Sequence, residues 1–440
     1  MNSISKDTNN SFQTMCWKTW NDIIIDLPAK NVKWCCKTQY TAEQTKELSF
    51  DLEILNQQGM DFFINHPILN QRKWDLTGGV KNMDCQLCWK NEENTGSSVR
   101  TRYNKQKYDL EWSLLNHPRK SRENHVSYNR DEFNFIEIQL TNKCNMACVY
   151  CWEGLSSRWQ KEVGNKFKDT EYELFEKVIE LLNGYYKDTL CHRETIIFSL
   201  LGGEPFFSNH MTDFYEKFLK NVHDVIPHNQ KFKVVVTTNL NFNKKKLEQF
   251  KEIVRNTPSI TWIMQISAEA IEKRSEYIRW GKNWDIFDSN LDEFYDFSNK
   301  QKNMVMGFGS AHNSLSLPYY IEFLKYIKEK EIKYNFKNNI MLHTNWVDTP
   351  EHLSIATLPE KYKENLDECI NFFQNNFDDK IYNTSEYLEV LKQMKNIIGS
   401  NTNIETKERS FFSFKKLEDR RNISFSDVFP HFSELVKTDK

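Results

Sequence analysis

The stretch "FNFIEIQLTNKCNMACVYC", residues 133–151, runs an alternating apolar segment straight into three cysteines packed within eight residues. Residues 133–140 read as a β-strand from their β-branched and aromatic content. Cys144, Cys148 and Cys151 fall in the loop that follows the strand. Parallel βα folds build their active sites on the loops at the C-terminal ends of their strands.

Downstream of this loop, strand-like and helix-like runs alternate. Leu174, Val178, Leu181 and Leu182 recur at helical spacing. The pattern predicts strands at 195–201, 231–239, 260–267, 304–310 and 339–346. It predicts helices near 211–223, 243–254, 284–299 and 318–330 between them. Repeated βα units require parallel strands with right-handed crossovers. Six strands fit either an incomplete barrel or an open doubly wound sheet, and periodicity does not choose between them. Cys144, Glu204, Asn239, Ser267, Ser310 and Asn313 all fall at or just past predicted strand ends, so they are expected to converge on one mouth.

The expected organisation is a cysteine-rich segment at 1–110, a polar linker at 111–130, the βα region at 131–356, and a mostly helical extension at 357–440. The 59 basic and 61 acidic residues nearly cancel, which gives no electrostatic case for nucleic acid or a membrane surface. No apolar run approaches the length of a membrane span, and the first residues lack the apolar stretch of a signal peptide. A cytoplasmic protein is expected, where clustered thiols read as metal ligands or redox groups before they read as disulfides.

Structural zinc takes four ligands. A 4Fe–4S cluster also normally takes four cysteines, so three thiolates leave one iron open to a substrate or cofactor. "CNMACVYC" at 144–151 is a CxxxCxxC motif with Tyr150 before its last cysteine. With "LLGGEP" at 200–205, "TTN" ending the third strand and "QISAEA" ending the fourth, it resembles the radical S-adenosylmethionine (SAM) superfamily. The resemblance covers roughly residues 131–348 and implies an α/β fold, a partial (β/α)6 TIM-like barrel. It implies that Cys144, Cys148 and Cys151 ligate a 4Fe–4S cluster whose open iron chelates SAM. Gly202, Gly203 and Glu204 would meet the methionine amino group, and Tyr150 would pack near the adenine. Asn239, Ser267 and Glu269 are candidates for methionine or ribose contacts, and Arg279 for the SAM carboxylate. Asn313 and His343 read as ordinary polar loop residues.

Cys85 and Cys88 form a CxxC pair, and Cys16 with the Cys35–Cys36 doublet could complete four ligands for zinc or iron–sulfur. These stretches resemble the twitch (half-SPASM) module, here placed before the barrel. That resemblance implies an auxiliary 4Fe–4S cluster on Cys16, Cys35, Cys85 and Cys88, with Cys36 as a neighbour. The turn before the doublet lacks the glycine common in that module. Arg100 and Arg102 are free to make polar contacts or to remain solvated. Cys191 and Cys369 stand alone and read as buried thiols.

The resemblance further implies reductive cleavage of SAM to a 5′-deoxyadenosyl radical, which abstracts hydrogen from a peptide or protein substrate. The auxiliary cluster would accept or relay an electron, and a flavodoxin- or ferredoxin-type reductant would supply one. A radical SAM oxidoreductase of a small molecule (sugar, nucleoside or alcohol) and a non-catalytic metal-binding scaffold are the alternatives.

Overall fold

The computed structural model describes residues 14–104, 133–378, 381–400 and 404–430. The expected linker at 111–130 lies outside the described residues. Chain contacts define two compact units. One comprises Met1–Thr141, Asp169–Gly202 and Asn209–Val234; the other comprises Asn142–Lys168, Gly203–Ser208 and Val235–Lys440.

In the first unit the strands are β1 (Asp22–Asp26), β2 (Asn31–Lys33), β3 (Phe135–Gln139), β5 (Thr195–Leu201) and the opening residues of β6 (Lys231–Thr238). They lie in the order β2-β1-β3-β5-β6. β1 pairs antiparallel with β2 and parallel with β3, setting Ile24 opposite Glu137. β3 pairs parallel with β5, setting Ile138 opposite Leu200. The addition of β1 to β3 was not anticipated from the sequence. Ile136, Ile138, Ile196, Phe198 and Leu200 are buried, as is the face of helix Tyr172–Asp188 that carries Leu174, Phe175, Val178 and Leu182. Leu181 is only half-buried. The helix expected near 211–223 is interrupted. Two α segments, His210–Phe214 and Lys220–His223, flank a π turn at Tyr215–Leu219.

In the second unit β6 is followed by β7 (Ile260–Ser267), β9 (Met304–His312) and β10 (Ile340–Trp346). The β7–β9 and β9–β10 pairs are parallel. Burial alternates strictly along β6 and β7. The fully buried side meets helices: Trp262 packs on Phe250 of Lys244–Asn256, and Phe308 on Phe323 of Tyr320–Lys333. Thr237, Gln265 and Ser267 point to the half-buried side. A doubly wound sheet carries helices on both faces, whereas a barrel wall carries them on one. The alternation therefore fits a partial barrel.

A two-stranded antiparallel ribbon, β4 (Ala147–Cys148) with β8 (Arg279–Trp280), sits in the same unit. Helices Lys363–Asn376, Thr384–Ile397, Ile404–Arg421 and Phe425–Val428 follow the last strand. Among the described residues, no helix is long and apolar enough to cross a membrane.

Candidate functional site

The three thiols of the second unit are held by a tightly bonded loop. Ser157 Oγ accepts from Cys144 N at 3.0 Å and donates to Cys144 O at 3.1 Å. Cys151 N donates to Cys148 O at 2.9 Å, and the Trp159 indole N–H reaches the same carbonyl at 2.9 Å. Ser156 caps helix Ser157–Glu162 through Trp159 N and donates to Met146 O at 2.5 Å. Pairing of β4 with β8 places Cys148 opposite Arg279. Burial, then the neighbouring Cys148, pushes the Cys144 thiol well above its usual range and Cys151 up to about 12. Cys148 is also raised, chiefly by burial. Burial disfavours three thiolates here, and a metal centre would stabilise them in that form.

Among the described residues, no three Cys, His, Asp or Glu side chains stand closely enough to hold one metal ion. A cluster, in which each iron takes its own thiolate, is the group that three cysteines on one loop would fit.

The "GGEP" turn packs against this loop through backbone that admits no side chain. Gly202 has φ +95°, and a Cβ there would stand 2.8 Å from Thr141 O. Gly203 has φ +51°, and its Cβ would stand 2.5 Å from Lys143 O. Glu204 N donates to Lys143 O at 3.0 Å. The Glu204 carboxylate is buried. It accepts from Thr238 Oγ1 at 2.8 Å, Asn239 N at 2.7 Å and Phe206 N at 3.3 Å. Burial outweighs these bonds and lifts its pKa to about 7.

From Glu204 an amide network runs back to the cysteine loop. Asn239 Nδ2 donates to Asn145 Oδ1 at 2.8 Å, and Asn145 Nδ2 to Asn241 O at 2.7 Å. Asn241 Nδ2 continues to Asn283 O at 2.6 Å. Asn145, Asn241 and Asn283 were not picked out from the sequence; their roles depend on partners distant in the chain.

Arg279 and Glu269 form a buried pair that the half-buried Tyr150 joins. Arg279 donates to both Glu269 oxygens, and Tyr150 Oη donates to Glu269 Oε1 at 3.2 Å. Nearby Lys282 is also buried, with no hydrogen-bond partner for its Nζ. Burial, then the Arg279 charge, holds it well below the usual lysine range. Ser267 stands at the half-buried end of β7. Ser310 and Asn313 turn inward. Ser310 Oγ donates to Ala268 O at 2.8 Å, and Asn313 Oδ1 accepts from Leu315 N at 3.0 Å in its own turn. His343 is exposed, 3.2 Å from Asn345 Nδ2.

In the first unit Cys16, Cys35, Cys85 and Cys88 line one small cavity. Cys85 and Cys88 lie one turn apart at the start of helix Gln86–Thr95, and Cys16 packs with Trp20, Leu76 and Trp89. Lys18, Arg72 and Arg100 line the same cavity, paired with Asp22, Asp84 and Glu92 respectively. Arg100 is therefore buried rather than solvated, and its Nη1 donates to Met15 O at 2.7 Å. Burial raises Cys16 to about 12 and Cys85 to about 11. Cys36 is exposed beside the cavity. Glu137, not singled out from the sequence, has its carboxyl pushed up to about 8 by burial and then by Cys36. Cys369 is buried, as expected; Cys191 is half-buried and donates to Lys187 O.

Residues 138–310 match the family model described as the radical SAM superfamily. No curated protein matches the chain. Solved structures similar to it include hexahistidine-tagged anSMEcpe with bound AdoMet, at 16% identity and TM-score 0.39, covering 56% of this chain and 62% of that one. Another is native anSMEcpe with bound AdoMet and Cp18Cys peptide, at 13% identity and TM-score 0.37, covering 55% and 60%. The chain thus spans about three fifths of the length of those chains.

Proposed function

We propose that the chain is a radical SAM enzyme. The observation that carries this reading is the loop of Cys144, Cys148 and Cys151, three thiols within eight residues braced by Gly203 and Glu204 within the matched segment. The three thiolates would hold a 4Fe–4S cluster with one iron left open. With SAM on that iron, the cluster supplies reductive cleavage and hence a radical able to abstract hydrogen.

The protein's residues do the binding and orienting. Glu204, at the floor of the turn, would accept from the SAM ammonium, and that cation would favour its ionised form. Gly202 and Gly203 let backbone approach closely. Arg279, Glu269 and Tyr150 form a preorganised polar patch for the carboxylate and nucleoside ends. Asn239 ties Glu204 to the loop, and Ser267 offers a hydroxyl on the half-buried barrel face.

Cys16, Cys35, Cys85 and Cys88 would hold an auxiliary 4Fe–4S cluster suited to accepting or relaying an electron. A peptide or protein is the proposed substrate class, with a flavodoxin- or ferredoxin-type reductant. A small hydroxylated molecule is the second reading, favoured by the uncharged hydrogen-bonding groups Thr237, Gln265 and Ser267 on that face.

The test is anaerobic reconstitution followed by reduction and addition of SAM. Wild type should form 5′-deoxyadenosine, and Cys148→Ala should not. Iron-loaded, reduced protein that neither binds nor cleaves SAM, with or without candidate peptides, would overturn the proposal.

A further inference from the structure

The loop carrying the three thiols is gripped by the far end of the chain. Helix Ile404–Arg421 ends in Arg421, whose side chain is 2% exposed. Its Nη2 donates to Ala147 O at 2.8 Å, across 274 residues of sequence. Its Nε donates to Glu162 Oε1 at 3.1 Å, and Nη2 reaches Glu162 Oε2 at 3.3 Å. The guanidinium lies 5.0 Å from the Trp159 ring centroid and 5.3 Å from that of Trp280.

Ala147 and Trp280 belong to the β4–β8 ribbon, and Trp159 and Glu162 to the helix Ser157–Glu162 that follows the cysteine loop. Ala147 precedes Cys148 in β4 and pairs with Trp280 in β8. Trp280 follows Arg279, and Trp159 donates to the Cys148 carbonyl. The helix is anchored in turn by aromatic packing. Phe414 stacks on Phe425 at 4.7 Å, and Tyr277 lies against both Phe425 and Phe429. Glu162 balances the Arg421 charge, so the contribution to the loop is geometric: a rigid planar fork on a fixed carbonyl.

We propose that Arg421 is a positioning residue. By clamping Ala147 and the β4–β8 ribbon, it holds Cys148 and Arg279 in the register that a SAM-chelating cluster requires. The inference rests on reading this loop as a SAM-binding cluster site, and it makes the C-terminal helix part of that site.

The test compares full-length wild type, Arg421→Gln, Arg421→Lys and, as a core control in the first unit, Phe218→Leu after anaerobic reconstitution. Iron content, binding of radiolabelled SAM, and the electron paramagnetic resonance spectrum of the reduced cluster with and without SAM are measured. Arg421→Gln should weaken SAM binding by about tenfold, the effect of losing one charged hydrogen bond, and should blunt the SAM-induced spectral change. Arg421→Lys keeps the charge without the fork and should fall between the two; it decides the matter if Arg421→Gln does not fold. Phe218→Leu should melt earlier yet bind SAM like wild type. Iron-loaded Arg421 variants with wild-type SAM binding and spectra would overturn the proposal, as would a Phe218→Leu protein with the same SAM defect. Wild type that shows no SAM-dependent change would overturn the underlying reading instead.

Discussion

Glu269 holds Arg279 in a two-point clasp, with Nε 3.0 Å from Oε1 and Nη2 2.5 Å from Oε2. Both side chains are almost fully buried. Removing either partner strands the other's charge in low dielectric. Arg279→Gln and Glu269→Gln should each cost about 3–5 kcal/mol in urea unfolding. The double variant should cost clearly less than their sum, because it strands no charge. Strict additivity would contradict the clasp.

Glu204 should make stability fall as pH rises. Its folded pKa of about 7 lies above the ordinary value of 4.5. The folded state therefore holds the proton more tightly between those values. The stability from the neutral carboxyl is complete below pH 4.5 and is lost as pH climbs through 7. Glu204→Gln should remove that slope, ~1.4 kcal/mol per pH unit in the window. Parallel unfolding curves for variant and wild type would refute the assignment.

His312 should act with the opposite sign. Burial lowers its pKa from 6.5 to about 3, and both ring nitrogens lack hydrogen-bond partners. Only the unfolded chain takes up the proton between those values, so stability is lost on acidification. His312→Phe keeps an aromatic ring against Tyr320 and replaces two unsatisfied nitrogens. It should flatten the acid side of the stability profile and leave neutral-pH stability equal or higher. A destabilised variant with an unchanged acid slope would count against this.

Gly203→Ala should damage the cysteine loop selectively, since its Cβ would meet Lys143 O at 2.5 Å. Reconstituted protein should drop from about eight irons per chain to about four. Gly96→Ala is the control. It also has positive φ, but nothing lies within 4 Å of its Cβ. It should cost about 1–2 kcal/mol of backbone strain and leave iron unchanged.

Replacing Cys85 and Cys88 together should likewise halve the iron, while the SAM-dependent spectral change of the remaining cluster persists. Full iron loading in that variant would remove the auxiliary-cluster reading.

The sequence made local features legible and hid distant ones. "CNMACVYC" and "GGEP" could be read because their chemistry lies within a few residues of spacing, and β6 and β7 because β-branched and aromatic residues fill them. β1 escaped notice because all five of its residues are buried, which leaves no alternation to read. Nothing in the periodicity of 211–223 marks the π turn that divides the helix. Asn145 and Arg421 carry no local signal. Asn145 donates to a carbonyl 96 residues away, and Arg421 to one 274 residues away. The inward turns of Ser310 and Asn313 depended on Tyr320 packing and on a local backbone turn, which strand-end position alone does not reveal.

The central claim is that three thiolates leave one iron free for SAM. Electron–nuclear double resonance on the reduced cluster, with SAM carrying ¹⁵N in its amino group, tests it most directly. A resolved ¹⁵N coupling that disappears in Cys148→Ala is the predicted result. An intact, reduced cluster with no coupling at saturating SAM would contradict the account.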